Sequence, residues 1–85
     1  MKARIIEACN DIKNMLIDKN RKYGNSAIDP IRILSHSDAI EQIKVRIDDK
    51  LSRIKSNQTD DVEDSISDLI GYLILLKIAK KPINR

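Results

Sequence analysis

Between Leu69 and Ile78, the residues Leu69, Ile70, Leu73, Ile74, Leu75, Leu76 and Ile78 cover most of a helix's circumference. A helix that is apolar all round needs burial on all sides. One layer of neighbouring helices in a chain of 85 residues does not supply that. A chain this short buries only ~60–65% of the surface its unfolded form exposes, so its own core is thin. The segment therefore predicts a homo-oligomer, a dimer or larger, held through Leu69, Ile70, Leu73, Ile74 and Ile78. Its uncharged run, Leu69 to Leu76, is too short to cross a bilayer, which takes ~20 apolar residues. No membrane association is expected.

The rest of the chain reads as helix too. Two Gly, two Pro, no Phe and no Trp leave little turn chemistry for a sandwich or barrel. Helix 1, about 2–22, carries Ile5, Ala8, Cys9, Ile12, Met15 and Leu16 at helical spacing. Arg21 and Lys22 suit its C-terminal end, and Gly24 the position just past it. Cys9 lies on the apolar stripe, which predicts a buried structural thiol. Residues 24–36 lack helical period and read as a long loop pinned by Ile28, Ile31, Ile33 and Leu34. Ser37 is the expected N-cap of helix 2, about 38–55, with Asp38 in its first turn. Ile40, Ile43, Ile47, Leu51 and Ile54 form its stripe. Thr59 is the expected cap of helix 3, about 60–80, with Asp60 and Asp61 in the first turn. Its inner stripe is Val62, Ile66, Leu69, Leu73 and Leu76. The expected fold is all-α: one domain over 1–85, three antiparallel helices, assembled as an oligomer.

Sixteen Lys+Arg stand against 13 Asp+Glu, a net charge of +3. Acids are interleaved with bases almost everywhere, so a duplex nucleic acid partner is not expected. One cysteine permits no internal disulfide and fits a reducing cytosol. Lys2, Arg4 and Glu7 bring charge too early for a secretion signal, so a cytoplasmic location is expected.

At ~100° per residue, Arg46, Lys50 and Arg53 fall on one flank of helix 2. Asp61, Asp64, Asp68 and Tyr72 fall on a similar flank of helix 3. An antiparallel hairpin sets Arg53 opposite Asp64, Lys50 opposite Asp68 and Arg46 opposite Tyr72. Such a seam is either a salt-bridge ladder, worth roughly 0–1 kcal/mol per exposed pair, or a site for a phosphate-bearing ligand. In the second case the carboxylates hold Mg²⁺ or orient the cations. Lys22, Tyr23, Gly24, Asn25 and Ser26 add a cation, a flat ring, a flexible backbone and two polar side chains, a set that suits a nucleotide. Residues 35–37, before helix 2, are a natural anion site. His36 reads as a solvated residue ahead of that helix.

Three segments together carry a resemblance. They are Lys19-Asn20-Arg21-Lys22-Tyr23-Gly24-Asn25-Ser26 with Pro30-Ile31-Arg32-Ile33, then Val45 to Ile54, then Glu63-Asp64 leading to Asp68-Leu69-Ile70-Gly71-Tyr72. They resemble the nucleotide modification associated domain 1 family, small helical proteins common in bacteriophage genomes. The likeness runs from about Asp18 to Ile78. It implies a phage-encoded protein that handles nucleotides in the host cytoplasm. A more distant likeness is to MazG-like all-α nucleoside triphosphate pyrophosphatases. Those hold Mg²⁺ with Glu-x-x-Glu on one helix and Glu-x-x-Asp on the next. Asp48, Asp49, Asp64 and Asp68 would take that part here. The spacing differs: Asp48 and Asp49 are adjacent, and Asp64-x-x-x-Asp68 is one residue longer.

The expected function is a binder that sequesters a phosphate-containing nucleotide without turnover, for example a host defence signal. Its ligand residues are Lys22, Tyr23, Gly24, Asn25, Ser26, Arg32, Arg46, Lys50, Arg53 and Tyr72. It needs no catalytic residue and no cofactor. The alternative is a Mg²⁺-dependent nucleotide pyrophosphatase with at least two of the four aspartates converging on metal. A third reading is a helical adaptor that binds another protein through 69–78.

Overall fold

A computed structural model describes residues 1–25, 38–56 and 62–81. Three helices make up the fold: α1 (Lys2–Tyr23), α2 (Ala39–Ser56) and α3 (Val62–Lys80). The chain is all-α, with no strand among the described residues. α1 and α2 lie within one residue of the expected spans, and α3 ends at Lys80 as expected. Thr59, Asp60, Asp61 and most of the expected loop fall outside the described residues. None of the three helices is long and apolar enough to cross a membrane.

α1 ends as its sequence dictates. Arg21 and Lys22 stand in the last turn, next to the carbonyls at the negative end of the helix dipole. Gly24 then takes φ +66°, a left-handed conformation that costs a glycine little. Its N–H donates to the Asn20 carbonyl at 2.8 Å. The Asn20 side chain completes the closure, donating to the Gly24 carbonyl at 3.0 Å and to Asn25 Oδ1 at 2.9 Å.

α2 starts one residue later than Ser37 would set it. Asp38 is the cap: its Oδ1 accepts from the Glu41 N–H at 2.8 Å, and its carbonyl accepts from the Gln42 N–H at 3.1 Å. An aspartate there satisfies a donor without an intrahelical partner and meets the positive end of the helix dipole.

α2 packs chiefly against α3. Ile43 is 1% exposed, with Ile40, Ile47 and Ile54 half-buried on the same stripe. Leu51, expected on this stripe, sits at its edge and is exposed. Among the described residues, the buried apolar side chains are Ile43 and Ile12. No buried side-chain nitrogen or oxygen among them lacks a partner.

α3 is rotated from the expected orientation. Val62, Leu69 and Leu76 are half-buried as expected, but Ile66 and Leu73 are exposed. Ser65 and Gly71 are buried instead, and Asp68 and Tyr72 are half-buried. The reason lies in what α3 must offer its neighbours. α1 approaches α3 at Gly71, where an added Cβ would stand 3.1 Å from Leu16 Cδ2 and 3.2 Å from Met15 Cε. A Cβ there would require Leu16 and Met15 to give way by a few tenths of an ångström. Asp68 must turn inward to meet its cations. At ~100° per residue, Gly71 and Asp68 lie about half a turn from Ile66 and Leu73, so burying one pair exposes the other.

α1 also departs from expectation. Ile12 is buried and Met15 and Leu16 are half-buried, but Ile5, Ala8 and Cys9 are exposed. The expected buried thiol is therefore a surface thiol. α3 covers α1 around Met15 and Leu16, and the same stripe two turns earlier has no such cover.

Gly71→Val tests this approach point. Overpacking of this kind costs about 1–3 kcal/mol. Better helix propensity returns only part of that. A chemical-denaturation midpoint should fall clearly for the valine variant and move less for Gly71→Ala. An unchanged midpoint for valine would mean that α1 does not rest on Gly71.

Candidate functional site

The polar centre of the molecule is Asp68 on α3. Lys19 of α1 donates to its Oδ1 at 3.3 Å, and Lys50 of α2 lies 3.4 Å from its Oδ2. One carboxylate thus joins all three helices. The Lys50 and Asp68 side chains are 17% and 25% exposed, against 51% for Lys19. Water screens the Lys50 pair less, so that rung contributes more.

Of the three rungs expected between α2 and α3, the structure forms the one between Lys50 and Asp68. Arg53 turns instead to Asp49 on its own helix, one turn back, at 3.2 Å. Asp64 is exposed and makes no ion pair with a described residue. Arg46 does not pair with Tyr72. Tyr72 is half-buried, and Arg46 is exposed, with no ion pair or hydrogen bond to any described residue. Arg46 lines a hollow of about 410 Å³ with Gln42, Val45 and Asp49. These four residues fall on one outer flank of α2, away from Ile43. The flank offers a guanidinium and an apolar patch, beside a carboxamide that already has a partner and a carboxylate occupied by Arg53. That chemistry suits an anion joined to a flat or apolar body.

The end of α1 supplies the other expected group. Lys22 is exposed and pairs with Asp18 at 3.5 Å. Tyr23 is 69% exposed. Gly24 and Asn25 form the turn that Asn20 ties down. Lys19 and Tyr23 stand one turn apart on the same face of α1, so the ring lies beyond the Asp68 joint. Ser26, Arg32, His36 and the expected anion site at 35–37 are outside the described residues. At the start of α2 itself, the Glu41 amide is already taken by Asp38.

The four aspartates considered for metal are not gathered. Among the described residues no three His, Cys, Asp or Glu side chains stand where they could hold one ion. Asp68 carries two lysines and Asp49 carries Arg53. Asp48, like Asp64, is exposed and makes no ion pair with a described residue.

Sequence reasoning missed Lys19 as part of this centre. It stood in the quoted motif, one turn before Lys22 and Tyr23, but was assigned no role there. Its signal was the ring one turn later, at Tyr23. Gln42 was missed for a similar reason. It stands one turn before Arg46, on a flank read for charge alone.

A double-mutant cycle separates the two lysines. Lys50→Met with Asp68→Asn should give a coupling of about 1 kcal/mol, and Lys19→Met with Asp68→Asn at most half that. Both are read from urea midpoints, and the Lys19 coupling should vanish first as salt rises. A larger coupling at Lys19 would reverse the assignment of the stronger rung.

Compared with family models, with curated proteins and with solved structures, the chain matches none.

Proposed function

We propose that this chain is a non-catalytic binding protein that sequesters a phosphate-containing nucleotide. The observation that carries the reading is Arg46: a guanidinium bordering a 410 Å³ hollow and free of any ion pair with a described residue. A cation with no ion pair to a described carboxylate is available to a ligand phosphate. The exposed ring of Tyr23 and the tied turn at Gly24 and Asn25 support a stacked base. The lysines on Asp68 and the arginine on Asp49 favour binding over metal-dependent hydrolysis, which needs open carboxylates. The resemblance to the phage nucleotide modification associated family supports the same class. A phage protein of this kind would act in the host cytoplasm, and a host defence nucleotide is a natural target.

We also read α2 and α3 as antiparallel neighbours. Lys50 stands six residues before the end of α2, and Asp68 six residues after the start of α3, so their pairing supports that arrangement. Helix 3 is the proposed face of a homo-oligomer. Its centre shifts, however. Leu69 and Ile74 are half-buried within the chain, while Ile66, Ile70, Leu73 and Ile78 are exposed. The same exposure favours a second reading, a helical adaptor for another protein.

The deciding experiment incubates the chain with Mg²⁺ and a panel of cyclic nucleotides and nucleoside triphosphates. The protein is then heat-denatured, and depleted and released species are identified by mass spectrometry. Intact nucleotide recovered after denaturation is the expected result. Monophosphate with pyrophosphate would establish hydrolysis instead. No binding and no change would leave the adaptor reading. Arg46→Ala and Tyr23→Ala should each weaken affinity at least tenfold, on the order of 1.4 kcal/mol. Unchanged affinity in both would sink this site.

A further inference from the structure

The outer face of α3 carries an order of charge as well as an apolar stripe. Glu63, Ile66, Ile70, Leu73, Lys77 and Lys80 follow one another at alternating steps of three and four residues. At ~100° per residue they fall within about a third of the helix circumference. All of them are exposed. The face thus runs from an acid, through three apolar side chains, to two cations. After Asp68, α3 holds no further acid.

Glu63, Lys77 and Lys80 make no ion pair with a described residue. Their signs suit the dipole of α3 itself, an acid in its first turn and cations in its last. The dipole is indifferent to which face they occupy, yet all three stand in line with the stripe. Asp64 meets the same dipole from about 100° round the helix.

A stripe charged in this order is complementary to its own reverse. Laid antiparallel on a second copy about a two-fold axis, Glu63 meets the partner's Lys80, and Ile70 meets the partner's Leu73. Ile66 lies along the aliphatic stem of the partner's Lys77. Each contact occurs twice, as a two-fold pair requires. A parallel pairing sets like charges against each other at both ends, which is costly. An anionic surface would take the lysines but repel Glu63.

We infer that α3 pairs with α3 of a second copy, antiparallel and in this register. The inference rests on the helix 3 interface proposed above and adds its occupant, its direction and its end pairs.

Charge exchange tests it, read by sedimentation equilibrium of the full chain. A single seam of this size belongs to the weak class of interface, so the unsubstituted chain should be associated at about 1 mM. Glu63→Lys and Lys80→Glu each place two like-charge pairs in the seam and should weaken association about tenfold or more. Both positions are exposed, so circular dichroism should show helix content retained. Mixed in equal amounts, the two variants should associate as tightly as the unsubstituted chain, because each supplies the charge that the other lacks. The chain carrying both substitutions should do so alone. An effect on α3 itself would add in that chain rather than cancel. If the single variants do not weaken association, or the mixture does not recover it, while Ile70→Lys dissociates the assembly, the helix 3 interface stands and the antiparallel register falls. A chain monomeric at about 1 mM, or an assembly that survives Ile70→Lys, overturns both.

Discussion

Asp68 takes a lysine from each of the other two helices, and one turn of α3 later Tyr72 follows it inward. Three positions after Asp68, Gly71 leaves room for Met15 and Leu16 to approach α3 closely. These two residues fix how α3 is turned. A carboxylate held between two cations resists rotation into water, and a glycine under two side chains resists rotation into a wider gap. With α3 held so, Ile43 gains its full burial and Ser65 comes inside. The cost is that Ile66, Ile70 and Leu73 face outward.

The charged seam follows from the same geometry. A seam can bind a ligand only through charges that the protein does not already satisfy. Lys50 and Lys19 are spent on Asp68, Arg53 on Asp49 and Lys22 on Asp18. Arg46 stands apart because Asp49, its nearest acid on that flank at i+3, is engaged one turn further on by Arg53. The binding reading thus narrows from a row of cations to one guanidinium and its hollow. Of the four carboxylates that a hydrolase would present to metal, Asp68 is held by the lysines and Asp49 by Arg53, while Asp48 and Asp64 make no ion pair with a described residue.

Much of this was legible in the sequence. The three helices, the Gly24 closure of α1 and the Lys50–Asp68 pair follow from periodicity, turn chemistry and residue spacing. The rest was not, for identifiable reasons. Asp38 and Ser37 are both good caps, and only the backbone path selects between them. Arg53 has acids at Asp49 and Asp64 within plausible reach, and sequence spacing does not rank a same-helix partner against a cross-helix one. Cys9 shares its stripe with Ile12, but a stripe does not reveal how far along it the neighbouring helix extends. The rotation of α3 was hidden because its apolar residues lie nearly all round, so no one face announces itself as the inner one.

By itself, the sequence determined what short-range physics determines: helical period, capping chemistry, the left-handed turn after α1 and a surplus of apolar surface on α3. These depend on neighbours within a turn or two along the chain. Tertiary structure decided which apolar face of α3 goes inward, which seam cation lacks an ion pair with a described residue and where the cover of α1 ends. Those outcomes depend on Asp68, Gly71, Lys19 and Lys50 meeting across helices, at distances that no spacing along the chain specifies.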